Sequence, residues 1–163
     1  MKRIEEEIQQ QKFTSIHQKV VVNLIYTANW LQNKQQKFFK SFGITGQQFN
    51  ILRILKGHFP KSISGAEIKN RMLDRNSDVS RLLDRLASKN LITKKTCPND
   101  KRASDVHITE QGIALLKEVD KYQKYDRILS ISSEEASILS DLLDKSRDIN
   151  RMGDPSFAPT SIT

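Results

Sequence analysis

Apolar residues recur at helical spacing over most of the chain and alternate over one short segment. From about Thr14 to Lys40 there is no proline or glycine, and Ile16, Val20, Leu24, Thr27 and Leu31 keep the i, i+4, i+8, i+11, i+15 rhythm of a long helix. Tyr26, Trp30, Phe38, Phe39 and Phe42 add aromatics towards its end, and Ile4 to Lys12 either extends it or frays. Such a helix outruns a small domain, so part of it is expected to pack on another chain. Gly43 ends it, and Thr45-Gly46-Gln47-Gln48 has capping-box spacing for a second helix carrying Phe49, Leu52, Ile54 and Leu55. Gly57 to Pro60 stops that helix, and Lys61-Ser62-Ile63 is expected as an edge strand. Ser64-Gly65-Ala66-Glu67 is another capping box, opening a short helix through Leu73 whose apolar residues are Ala66, Ile68, Met72 and Leu73.

The next stretch carries the most information. Asp74-Arg75-Asn76 predicts a turn, and Ser77 is expected to cap the helix after it. Val79, Leu82, Leu83 and Leu86 fall at i, i+3, i+4, i+7 and share a buried face, leaving Asp78, Arg81, Asp84, Arg85 and Ser88 outward. Arginines and short polar side chains just after a helix N-terminus suit a DNA major groove. Two short helices joined by such a turn form a helix-turn-helix, although packing alone produces similar pairs in all-helical proteins. Asn90 can take the left-handed conformation that ends the helix. Leu91 to Thr96 then reads as a strand, Cys97 to Ser104 as a polar turn with a charged tip at Pro98 to Arg102, and Asp105 to Thr109 as an alternating return strand.

Thr109 caps a helix through Ile113, Leu116, Val119 and Tyr122 to about Ile128. Ser132-Ser133-Glu134-Glu135 opens a last helix striped by Ala136, Leu139, Leu142, Leu143 and Ile149. The fold class is therefore mainly α, a winged helix-turn-helix of about six helices with a small β-hairpin wing. Residues 1–43 are expected as an N-terminal helical region, 44–112 as the winged region, 113–150 as C-terminal helices and 151–163 as a flexible tail.

Composition sharpens this picture. Of 163 residues only 37% are hydrophobic, so a modest core completed by a partner chain is expected. The net charge of +8 is uneven: residues 69–102 hold 10 basic against 4 acidic side chains, whereas residues 103–163 hold 7 against 11. Positive charge thus concentrates around the arginine-bearing helix, as a polyanionic partner requires, although a solvated lysine-rich surface explains the total equally well. No run approaches the ~18 apolar residues of a membrane span, and residues 1–11 lack a signal-peptide core. The single cysteine, Cys97, excludes an internal disulfide, which fits a reducing cytoplasm; its neighbours Lys94 and Lys95 are the only hint of a redox role. His17, His58 and His107 are scattered without metal-ligand spacing, and no phosphate loop or nucleophile elbow is present, so neither an enzyme nor a metal or cofactor site is expected. A winged helix used as a protein-interaction module, without sequence-specific DNA binding, is the competing reading.

The segment Asp100-x-Arg102-x-x-x-Val106-x-Ile108-Thr109-x-x-Gly112 resembles the wing signature of the MarR family of bacterial transcription regulators, and Val79 to Leu86 is similar to that family's recognition helix. The resemblance covers roughly residues 14 to 150, with Asn90 standing where such sequences often have glycine. It implies a double-stranded DNA-binding regulator, expected as a repressor, that is a homodimer through dimerisation helices in residues 1–43 and 113–150 and whose recognition helices enter successive major grooves of a pseudo-palindromic operator. On that mapping Ser77, Asp78, Ser80 and Arg81 lie nearest the bases and Arg85 nearest phosphate. Lys101 contacts DNA at the wing, and Arg102, oriented by Asp100, enters the minor groove. A surface ion pair of little energetic weight is the plainer reading of Asp100 and Arg102. Members of the family often respond to small molecules, so Tyr26, Trp30, Phe38 and Phe49, near where the first two helices meet, are candidate effector-pocket residues as well as candidate core aromatics.

Overall fold

The computed structural model describes residues 2–97, 100–123 and 128–148, with the backbone alone at 96, 97 and 100–104. The tail at 151–163, Ile149, and the expected helical continuation over residues 124–127 lie outside the described residues. Two compact units divide the chain, residues 1–122 and 123–163.

In the first unit, α1 (Ile4–Glu7) precedes the long α2 (Ile16–Lys40). Residues 4–12 therefore do not extend α2: Ser15 caps it, accepting from the Gln18 amide at 3.1 Å, and α1 forms separately. Lys19 pairs with Glu5 at 2.5 Å and the Tyr26 hydroxyl donates to Glu7 at 3.0 Å, so α1 is tied back onto α2. The α2 helix spans about 37 Å along its axis. The stripe read from the sequence is largely unburied, with Ile16, Val20 and Leu24 exposed. After α2, Gly43 takes a positive φ of 69°, which glycine adopts without strain. Thr45 and Gln48 then complete the expected capping box of α3 (Gly46–His58).

Leu52, Leu55 and Ile51 of α3 are buried, and Phe49 stacks on Phe39 with ring centroids 4.6 Å apart. β1 (Ile63–Ser64) leads into α4 (Gly65–Arg71), whose Ser64–Glu67 capping box forms as expected. Met72 is extended, so the helix stops two residues early and Leu73 turns outward to 91% exposure instead of joining the apolar face. α5 (Val79–Ser88) follows, ended by Asn90 at φ 56°. β2 (Ile92–Cys97) and β3 (Asp100–Ile108) pair antiparallel, and β1 adds to β3 through Ile63 opposite Val106, giving a sheet of order β1-β3-β2. The expected edge strand is present, and the return strand begins at Asp100 rather than Asp105.

α6 (Glu110–Tyr122) closes the unit, its Leu116 and Val119 joining Ile68, Leu86 and Val106 in one core. In the second unit, the Ser132–Glu135 capping box forms at the start of α7 (Ser133–Ser146), which exposes Ile138, Leu139 and Leu142. No helix among the described residues is long and apolar enough to cross a membrane.

Candidate nucleic-acid interface

The site is assembled from the turn before α5 outward. Asp74 accepts from the Asn76 amide at 3.0 Å, the Ser77 hydroxyl at 3.0 Å and the Gln47 side chain at 3.0 Å. Those three donors favour the ionised form and hold the Asp74 carboxyl below its ordinary range. Gln47 also donates to the Ser77 hydroxyl at 3.1 Å, and Asn50 accepts from the Leu73 amide at 3.0 Å. Two α3 side chains thus grip both ends of the turn. Ser77 is only 7% exposed within this network and, contrary to expectation, is not the helix cap. Its hydroxyl is committed inside the protein.

The cap belongs to Asp78. Its carboxylate accepts from the Arg81 amide at 3.1 Å with one oxygen and pairs with the Arg81 guanidinium at 3.1 Å through the other. Val79, Leu82, Leu83 and Leu86 are buried as the spacing requires, and Ser80, Arg81, Asp84, Arg85 and Ser88 all face outward. The Arg81 side chain is 79% exposed. Asp84 pairs at 3.0 Å with Lys94 on β2, tying the foot of the wing to the outward side of α5. At the other end of α5 the Lys89 ammonium donates to the Gly43 carbonyl. Gln47, Asn50 and the Asp84–Lys94 pair were not among the sequence expectations, because residues 10 to 30 positions from their partners leave no local signature.

At the wing, Thr96 pairs with Ser104 and Cys97 with Asp100, so Lys101, Arg102 and Ala103 occupy an irregularity of the ladder. The side chains of Cys97, Asp100, Lys101 and Arg102 lie outside the described residues. Gly112 sits where a Cβ would meet the Leu91 carbonyl oxygen at 2.3 Å, which explains physically why the wing's end needs glycine there.

The four candidate pocket aromatics are not gathered into one cavity. Phe38 packs edge-on against Phe39, and Phe49 is buried against the same ring. Tyr26 is engaged by Glu7, and Trp30 lies exposed under the Lys34 ammonium at 5.0 Å, roughly 12 Å along α2 from Phe38. A separate open hollow of about 660 Å³ is lined by Phe42, Ile44, Lys89, Leu91 and Leu115, among others.

Residues 44–104 match the model of the MarR family, a span that runs from α3 to the wing. The chain is 28% identical over 109 residues to the HTH-type transcriptional regulator MhqR of Bacillus subtilis (strain 168), covering 64% of this chain and 72% of that one. It is 30% identical over 102 residues to the HTH-type transcriptional regulator PecS of Dickeya dadantii (strain 3937), covering 61% of each, so it spans less than two thirds of that relative. In fold it matches a mutant of E. coli MarR complexed with operator DNA, with a TM-score of 0.66 and 23% identity over 80-odd percent of this chain (82%) and 99% of that chain. The matched segment and the two relatives agree with the shared fold: residues 44–104 form a MarR-family segment, and the chain is similar to HTH-type transcriptional regulators.

Proposed function

We propose that two copies of this chain form a homodimer that binds a pseudo-palindromic stretch of double-stranded DNA sequence-specifically and acts in the cytoplasm as a transcriptional repressor. The observation that carries this reading is the amphipathic division of α5. Four apolar residues anchor it in the core while Ser80, Arg81 and Arg85 stand outward. In this reading Ser80 and Arg81 meet base edges, Arg85 meets phosphate, Lys101 contacts DNA at the wing, and Arg102, oriented by Asp100, enters the minor groove. Residues 44–112 form the reader, and 1–43 with 113–150 the dimerisation parts. Ile16, Val20, Val21 and Ile25 on α2 and Ile138 and Leu142 on α7 supply the exposed apolar surface that a second copy would cover.

Small-molecule control belongs to the same proposal. The hollow beside Phe42 and Leu91 offers it apolar room that the four aromatics do not jointly provide. The test is a titration of the full chain with duplex fragments selected from a random pool. Tight binding that falls steeply with salt and prefers a palindrome is the expected result. Binding to no duplex, with capture of a protein ligand instead, would favour the interaction-module reading.

A further inference from the structure

We infer that Asp78 is a positioning residue that restrains DNA affinity through Arg81 rather than by reading a base: it holds the arginine in an internal pair that duplex DNA must break. The inference rests on the DNA-binding function proposed above. Its basis is that one carboxylate holds two parts of the same residue, the Arg81 amide at 3.1 Å and the Arg81 guanidinium at 3.1 Å. Both side chains are largely exposed, 57% for Asp78 and 79% for Arg81, so the pair stands on the same outward face that would meet DNA. A carboxylate there has two consequences. It repels phosphate directly, and it neutralises the arginine best placed to reach the groove. A phosphate of arbitrary sequence offers Arg81 a single charge in exchange for the one it leaves. A correctly placed guanine offers two hydrogen bonds in fixed geometry, and so displaces Asp78 more favourably. The other two acidic residues described between 69 and 102 are engaged elsewhere, Asp74 by Gln47, Ser77 and Asn76, and Asp84 by Lys94. Among the described side chains of this segment, Asp78 is therefore the carboxylate that bears directly on Arg81.

Asp78→Asn separates the two jobs of the side chain, since asparagine caps a helix about as well as aspartate but carries no charge. Full-length protein, wild type and variant, is titrated with a random-sequence duplex and with a selected operator across a salt series. The variant is expected to bind random duplex about two- to fivefold more tightly, the weight of an exposed ion pair. Its salt dependence should steepen by up to about one unit on the log–log slope, with at least as large a gain on the operator, where the pair is also broken. In an Arg81→Gln background the same change should gain clearly less. An equal gain in both backgrounds would reduce Asp78 to a generic negative charge and overturn the inference. A loss confined to the operator would overturn it too, by making Asp78 a base contact. If wild type binds duplex DNA but Asp78→Asn changes neither affinity nor slope, this inference fails alone; if wild type binds no duplex, the functional reading fails with it.

Discussion

Gly112 shows most directly how one residue fixes the site. A Cβ added there would lie 2.3 Å from the Leu91 carbonyl oxygen and 2.8 Å from Ile108, and the Leu91 carbonyl is held in place by the Thr109 amide at 3.1 Å. Backbone on one side leaves little room to yield. Gly112→Ala should therefore cost about 1–3 kcal/mol of stability, visible as a lower denaturant midpoint with unchanged slope; a wild-type midpoint would contradict the close approach. Arg81 carries the corresponding prediction for recognition. If it reads a guanine, Arg81→Ala should erode discrimination at one base-pair position by about 1–3 kcal/mol, as competition between single-base operator variants would reveal. A uniform loss over all sequences would make it a phosphate contact. Arg102→Ala should weaken binding severalfold in a titration at fixed salt while the protein stays folded; unchanged affinity would remove the wing tip from the interface.

Among the elements, the grip of α3 on the turn before α5 sets where the recognition helix stands. Ser77→Ala removes the shared partner of Gln47 and Asp74, both of them exposed, and should lower the denaturant midpoint slightly. The Asp74 carboxylate gives this grip a pH dependence. Its folded-state value is depressed, so its contribution is present above the unfolded value near pH 4 and is lost as pH falls through the lower folded value. Asp74→Asn should flatten that acid limb, and an identical pH profile in wild type and variant would refute the assignment. The same network marks the limit of sequence reading. The burial of Val79, Leu82, Leu83 and Leu86, the three capping boxes and the left-handed Asn90 are written in local spacing, and each formed. The cap shifted from Ser77 to Asp78 because Gln47, 30 positions earlier, recruits the serine, a contact no local pattern contains. Likewise Asp100 to Ser104 reads as turn by polarity, while pairing with β2 makes it strand. Tyr26, Trp30 and Phe38 lie on one helix, yet its sequence alone does not show that its far end packs against the core while its near end stays outside.

For the molecule as a whole, the exposed stripe of α2 and the apolar side chains of α7 are what a two-fold partner would cover, and a dimer would supply the second α5 that a palindrome requires. Val20→Glu places a charge within that stripe. It should shift the protein towards monomer in analytical ultracentrifugation and lower operator affinity by tenfold or more, about 1.4 kcal/mol. A variant that stays dimeric, or a monomer that binds as tightly as wild type, would move the interface elsewhere. The central claim, that α5 with its arginines reads duplex DNA, is tested most directly by fluorescence anisotropy of full-length wild type and Arg81→Ala on the selected operator and a scrambled duplex over a salt series. The account predicts wild-type affinity that falls linearly on a log–log salt plot and favours the operator, with that preference much reduced in the variant. Equal binding of operator and scrambled duplex by the wild type, or an undiminished preference without Arg81, would contradict it.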